Sequence, residues 1–182
     1  LDIYVMAGDL LGPSGNGSGY APQADVWPNI SFVTVPGTPT GISATGGNAE
    51  ADVSWTAPVS DGGAVISQYT VTSSPDGITA TTSGTSVTVT GLTNGTSYTF
   101  AVTATNSVGT GSASSGSNAV VPATVPGSPT GVSAISGNAQ ATVSWTPPVS
   151  YGGSAISQYT VTSSPDGITA TTSGTSVTVT GL

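Results

Sequence analysis

Only carboxylates could do acid–base work in this chain, and there are eight of them: Asp2, Asp9, Asp25, Glu50, Asp52, Asp61, Asp76 and Asp166. Glu50 and Asp52 lie two residues apart on a stretch where Ala51, Val53 and Trp55 alternate with polar residues. Period two puts both carboxyls on one face of a strand. A glycosidase needs two carboxyls about 5–9.5 Å apart across a cleft, one of them held protonated. A solvated strand face on a small module offers no such cleft, so the pair reads as charged surface and the chain as non-enzymatic. Calcium is the other chemistry open to hard oxygen ligands. No Asp-x-Asp-x-Asp-Gly loop occurs, and Asp61-Gly62-Gly63 has Tyr151 in place of its acid 90 residues later. Asp76 and Asp166 do recur, inside Pro-Asp-Gly, which is turn chemistry in its own right. Neither a metal nor any other cofactor is expected.

The missing residues exclude more. The 182 residues include no Lys, Arg, His or Cys, and the net charge is −8. Nucleic-acid binding depends on cations against phosphates and is set aside. Bidentate recognition of carboxylate or phosphate is impossible without Arg. No side chain has an ordinary pKa between 5 and 8. Without thiols there is no disulfide, and the redox compartment is unreadable. No apolar run approaches the roughly 20 residues of a membrane span, so membrane insertion is not expected. No signal peptide is visible at Leu1. Stability has to come from apolar burial and backbone hydrogen bonds.

Those side chains sit in a duplicated unit. Residues 66–92 and 156–182 are the same 27 letters at an offset of 90, and the flanks repeat with drift. Pro39-Thr40-Gly41-Ile42-Ser43-Ala44 matches Pro129-Thr130-Gly131-Val132-Ser133-Ala134, and Val53-Ser54-Trp55-Thr56 matches Val143-Ser144-Trp145-Thr146. A domain-sized repeat is a duplicated folding unit. Spacers and adhesive arrays are tiled in this way; catalytic centres rarely are.

Within the unit, Tyr69 and Val71, Val87 and Val89, and Tyr98, Phe100, Val102 and Ala104 alternate with polar or small residues. Such alternation predicts half-buried strands. Asp61-Gly62-Gly63, Pro75-Asp76-Gly77, Ser83-Gly84 and Asn94-Gly95 punctuate them as turns. Short strands, regular turns and no helical period predict an all-β sandwich. Strand position makes Trp55 and Trp145 core residues, each large buried side chain stabilising by roughly 1.5–3 kcal/mol.

The pattern resembles the fibronectin type III family. The resemblance rests on Pro39, Trp55, Tyr69 and the run Leu92-Thr93-Asn94-Gly95-Thr96-Ser97-Tyr98, which is similar to the family's tyrosine corner. It continues through Phe100, Val102, Ala104, Asn106 and Gly109. It implies tandem immunoglobulin-like sandwiches of seven strands used mainly for spacing and adhesion, with Trp55, Tyr69, Leu92, Tyr98, Trp145 and Tyr159 in the cores. No single function follows from the fold.

Three regions are expected. Residues 36–122 form one complete module. Residues 123–182 supply the first five strands of another. Residues 1–35 align with the end of a module, Val5–Gly12 with Val102–Gly109, and read as the closing strands of a divergent one with an insertion around Gly15–Pro28. Two readings of these ends stay open: a window on a longer array, or strand exchange in which one chain completes the next, giving a filament. The linker Val121–Pro126 is Pro-spaced and reads as extended and semi-rigid.

Tyr20 and Trp27 in the insertion, and Tyr151 in a loop, are surface-contact candidates that suit stacking on a sugar or a partner. Packing against a neighbouring module explains them equally well. Asn16, Asn29 and Asn94 fit the glycosylation acceptor pattern, but Asn-Gly is also a plain turn signal. The expected role is a spacer, adhesion or assembly array on a cell surface, a secreted protein or a virion. Its expected partners are neighbouring modules or like subunits. The alternatives are a glycan- or cell-wall-binding accessory module of a larger hydrolase, and a phage tail, capsid or appendage component.

Overall fold

The computed structural model describes residues 33–182. The expectations placed on residues 1–32, including Tyr20, Trp27 and the closing strand pair, lie outside the described residues.

Alternation becomes strand pairing wherever the sequence supplies it. In the first described module these are β1 (Thr40–Gly46), β2 (Glu50–Thr56), β3 (Gln68–Ser74), β4 (Thr79–Thr82), β5 (Ser86–Thr90) and β6 (Thr99–Thr105). They form two antiparallel sheets in the orders β1-β2-β5 and β4-β3-β6. Ala51, Val53 and Trp55 of β2 face inward, as do Tyr69 and Val71 of β3. Phe100, Val102 and Ala104 of β6 close the same core. Trp55 lies against Tyr69 with ring centroids 5.3 Å apart. Apolar burial between the two layers is the principal stabilising contribution.

The family pattern implies seven strands, but six regular ones form here. The segment after β6, residues 110–120, is rich in Gly and Ser and lacks alternating apolar residues. It runs along the free edge of β6 in steps of three residues against steps of two. Gly111, Ser114, Ser117 and Val120 donate backbone N–H groups to the carbonyls of Ala104, Val102, Phe100 and Tyr98 at 2.8–2.9 Å. The Oγ atoms of Ser114 and Ser117 accept from the N–H groups of Val102 and Phe100 at 2.9 and 3.0 Å. Serine hydroxyls thus take the place of backbone carbonyls, and the edge of β6 is satisfied without a seventh strand. Asn118 does the same for β1: its carboxamide accepts from Ala44 N–H and donates to Ala44 C=O, both at 2.9 Å.

The second described module holds β7 (Thr130–Gly137), β8 (Gln140–Thr146), β9 (Tyr159–Thr162), β10 (Thr169–Thr172) and β11 (Ser176–Thr180). Its sheets are β7-β8-β11 and β9-β10. Trp145 and Val179 are buried, and Trp145 meets Tyr159 at 5.2 Å. Tyr159, Val161 and Val143 are half-buried, and Val132 and Ile135 are exposed. Among the described residues, β9 has no strand on the side that β6 covers on β3.

Candidate functional site

Among the described residues the carboxylates do not converge. Among the described residues no three acids gather to hold a metal ion. Glu50 and Asp52 are exposed on the outer face of β2, and Asp52 accepts a 2.6 Å hydrogen bond from Thr88 Oγ1. The shallow depression over this face is lined by Ser43, Thr45, Ser54, Ser86 and Thr88, with Asp52 its one acid. Within the depression Asp52 stands among hydroxyls, with Glu50 exposed on the same face of β2. Asp61 is exposed and accepts from Gly63 N–H at 2.8 Å, which makes it a turn residue.

Asp76 has a role that its turn motif hides. The Tyr98 phenol donates to Asp76 Oδ2 at 2.7 Å and accepts from Thr93 N–H at 3.2 Å. The tyrosine corner is therefore tied to the Pro-Asp-Gly turn as well as to its own loop. Tyr98 is fully buried, so both bonds matter to stability. Pairwise reading of the repeat misses this contact, because the Tyr98 partner has no counterpart in residues 123–182 while Asp166 does repeat Asp76.

The expected core residues Trp55, Tyr69, Leu92, Tyr98 and Trp145 are buried, and Tyr159 is half-buried. Burial raises the Tyr69 phenol above its ordinary value of 10.0. The indole N–H groups of Trp55 and Trp145 are buried with no hydrogen-bond partner among the described residues. Tyr151 is 52% exposed beside a shallow hollow lined also by Val125, Ala155 and Ile156. Asn94 serves as a turn clamp: it accepts from Ala49 N–H at 2.8 Å and donates to Asn48 at 2.8 Å.

The linkers are the most elaborated polar feature. Thr34 and Gly37 donate to the carbonyls of Gly62 and Ser60 at 2.8 and 2.9 Å. Thr124 and Gly127 repeat this with Gly152 and Ser150 at 2.7 and 2.9 Å. Gly62 and Gly152 have positive φ, and a Cβ on either would collide with the carbonyl oxygen of Thr34 or Thr124. Asn106 donates to the carbonyls of Thr34 and Asp61 at 2.6 and 2.8 Å, fastening linker and loop together. On the outgoing side, Gly95 N–H donates to Pro122 C=O and Ala123 N–H to Gly47 C=O, each at 2.9 Å. Pro122 is fully buried, and Gly153 approaches Gly95 backbone to backbone. The linker after Val121 is thus bonded to the module on each side of it.

Two antiparallel layers, a tyrosine corner and the repeated unit define a class of module, and comparison with known proteins names it. The family model described as Fibronectin type III domain matches residues 37–120 and 127–182. The chain belongs to the fibronectin type III family. Among solved structures, it is similar to domains from titin at 30% identity and TM-score 0.46, over 48% of this chain and 32% of that one. It is similar to the twitchin kinase region from C. elegans at 25% identity and TM-score 0.45, over 49% and 17%. The FN1–FN3 domains of chicken CNTN1 match at 22% identity and TM-score 0.44, over 80% and 56%. The chain spans a third or less of the titin and twitchin structures it matches. No curated protein matches it. No helix among the described residues is long and apolar enough to cross a membrane.

Proposed function

We propose that this chain is a non-enzymatic structural spacer, an array of fibronectin type III modules that holds neighbouring modules in a set relation and serves adhesion or assembly. The observation that supports this reading is the linker chemistry. Each module receives its linker through the same pair of backbone hydrogen bonds, at Thr34 and Gly37 and again at Thr124 and Gly127. A segment tied to both neighbours loses the freedom that makes a Gly/Ser tether flexible.

Like modules or subunits are the partners proposed. Val59 and Val149 occupy matching loop positions and are fully exposed, giving each repeat the same apolar tip for lateral contact. A setting outside the cell or on a virion suits a surface with no Lys or Arg, since trypsin-like proteases have no side chain to cut after.

Amide relaxation by NMR on the 182-residue chain tests the proposal. Modules held in a set relation tumble with one shared correlation time and one anisotropic diffusion tensor. Separate correlation times for residues 37–120 and 127–182 would sink the spacer reading.

A further inference from the structure

Asn94-Gly95 is the one Asn-Gly pair among the described residues. Asn is a thermolabile residue, and a following Gly puts no side chain in the way of the backbone. In such a pair the Gly nitrogen attacks the carbonyl carbon of the Asn side chain. A C–N bond forms, and ammonia leaves. Water then opens the cyclic imide at one carbonyl or the other, giving aspartate or isoaspartate. Water is the only co-reactant.

Both reacting groups are held in this fold. Asn94 Oδ1 accepts from Ala49 N–H and Nδ2 donates to Asn48 Oδ1, each at 2.8 Å. Gly95 N–H, which must lose its proton before the nitrogen attacks, donates to Pro122 C=O at 2.9 Å. Gly153 of the next module closes over the pair. A Cβ on Gly153 would lie 2.6 Å from Gly95 N and 2.9 Å from the backbone carbon and Cβ of Asn94. Ala123 N–H, bonded to Gly47 C=O at 2.9 Å, keeps the linker seated beside them. The restraints on the side chain thus come from its own module, and those on the Gly95 nitrogen come from the linker and the module beyond it.

We infer that Asn94 is a self-modification site gated by the joint between modules. While Pro122, Ala123 and Gly153 are seated, the Gly95 nitrogen can neither release its proton nor advance on the carboxamide, and Asn94 persists. When the joint opens, the pair reacts as an unrestrained turn does. The two products differ in effect. The aspartate product keeps one oxygen for Ala49 N–H, and the exposed Asn48 turns its amide round to donate to the other. Isoaspartate routes the backbone through the former side chain and adds one carbon to it, so Gly95 N–H no longer meets Pro122 C=O. An opening of the joint is thereby made permanent.

The test is mass spectrometry of chymotryptic peptides from the 182-residue chain after incubation in mildly alkaline buffer. The same chain unfolded in denaturant is the unrestrained reference. Native Asn94 is expected to convert at least about tenfold more slowly than in the unfolded chain, because reaction waits on local opening. Gly153→Ala pushes a Cβ against Gly95, and Ala123→Pro removes the donor to Gly47. Each is expected to speed native conversion about tenfold while β2 amides keep their slow hydrogen exchange. The isoaspartyl product, separated by ion exchange, is expected to show fast exchange at the Ala123 amide, and the Asn94→Asp variant slow exchange there. Equal rates in native and unfolded chains, an unchanged rate in either variant, acceleration only in step with faster β2 exchange, or slow Ala123 exchange in the isoaspartyl product would each overturn the proposal.

Discussion

Tyr69 and Tyr159 lie in one identical 27-residue sequence, yet the first is 4% exposed and the second half-buried. β3 runs seven residues, Gln68–Ser74, and β9 only four, Tyr159–Thr162. Val71 is fully buried where Val161 is not. The Trp–Tyr contact is the same in both, 5.3 and 5.2 Å. Local packing within a sheet pair is therefore set by the strands themselves, whereas strand length and burial are set by the neighbour. The neighbour is β6, and tertiary context overrides identical local preference.

The comparison can be broken most sharply by placing a charge on matching strands. Val71→Asp buries an unpaired carboxylate and should cost about 3–5 kcal/mol or unfold the complete module. Val161→Asp leaves its carboxylate able to reach water and should cost about 1 kcal/mol or less. Chemical denaturation followed by tryptophan fluorescence measures both, and equal costs would show that β6 does not set the difference in burial. Next in size, Tyr98→Phe removes a charge-assisted bond to Asp76 and should cost about 1.5–3 kcal/mol, while Asp166→Asn in the open module should leave stability unchanged. Thermal unfolding of the two variants decides it.

A third pair tests where the modules are alike. Gly62→Ala and Gly152→Ala both force a side chain into a left-handed backbone against a linker carbonyl, and each should cost roughly 1–3 kcal/mol. Unequal losses would mean that the two linkers are not held in the same way. The smallest effect is alkaline. Burial keeps Tyr69 protonated at pH values where the unfolded chain has lost that proton, so this stability is whole below about pH 10 and falls as pH climbs through the folded value. A Tyr69→Phe variant should show a flatter decline above that pH in thermal melts.

Period-two alternation made β2, β3, β5 and β6 legible, since each has apolar residues committed to one face. The role of Leu92–Tyr98 was legible through its resemblance to a known corner. Residues 110–120 were not, because their pairing runs through Ser114, Ser117 and Asn118 side chains and follows a three-residue step that no propensity encodes. Nor was the Tyr98–Asp76 bond, which joins residues 22 apart in sequence through side chains alone. Asn106 entered the sequence reading only through the family resemblance; its two carbonyl partners come from 72 and 45 residues upstream and meet it only once the chain is folded.

The linkers are fastened by amide-to-carbonyl bonds, without a single ion pair. Counter-ions have nothing there to screen, and no group in the fastening gains or loses a proton near neutrality. The angle between modules should thus be indifferent to salinity and mild acidity, a property suited to a part that meets whatever fluid surrounds it.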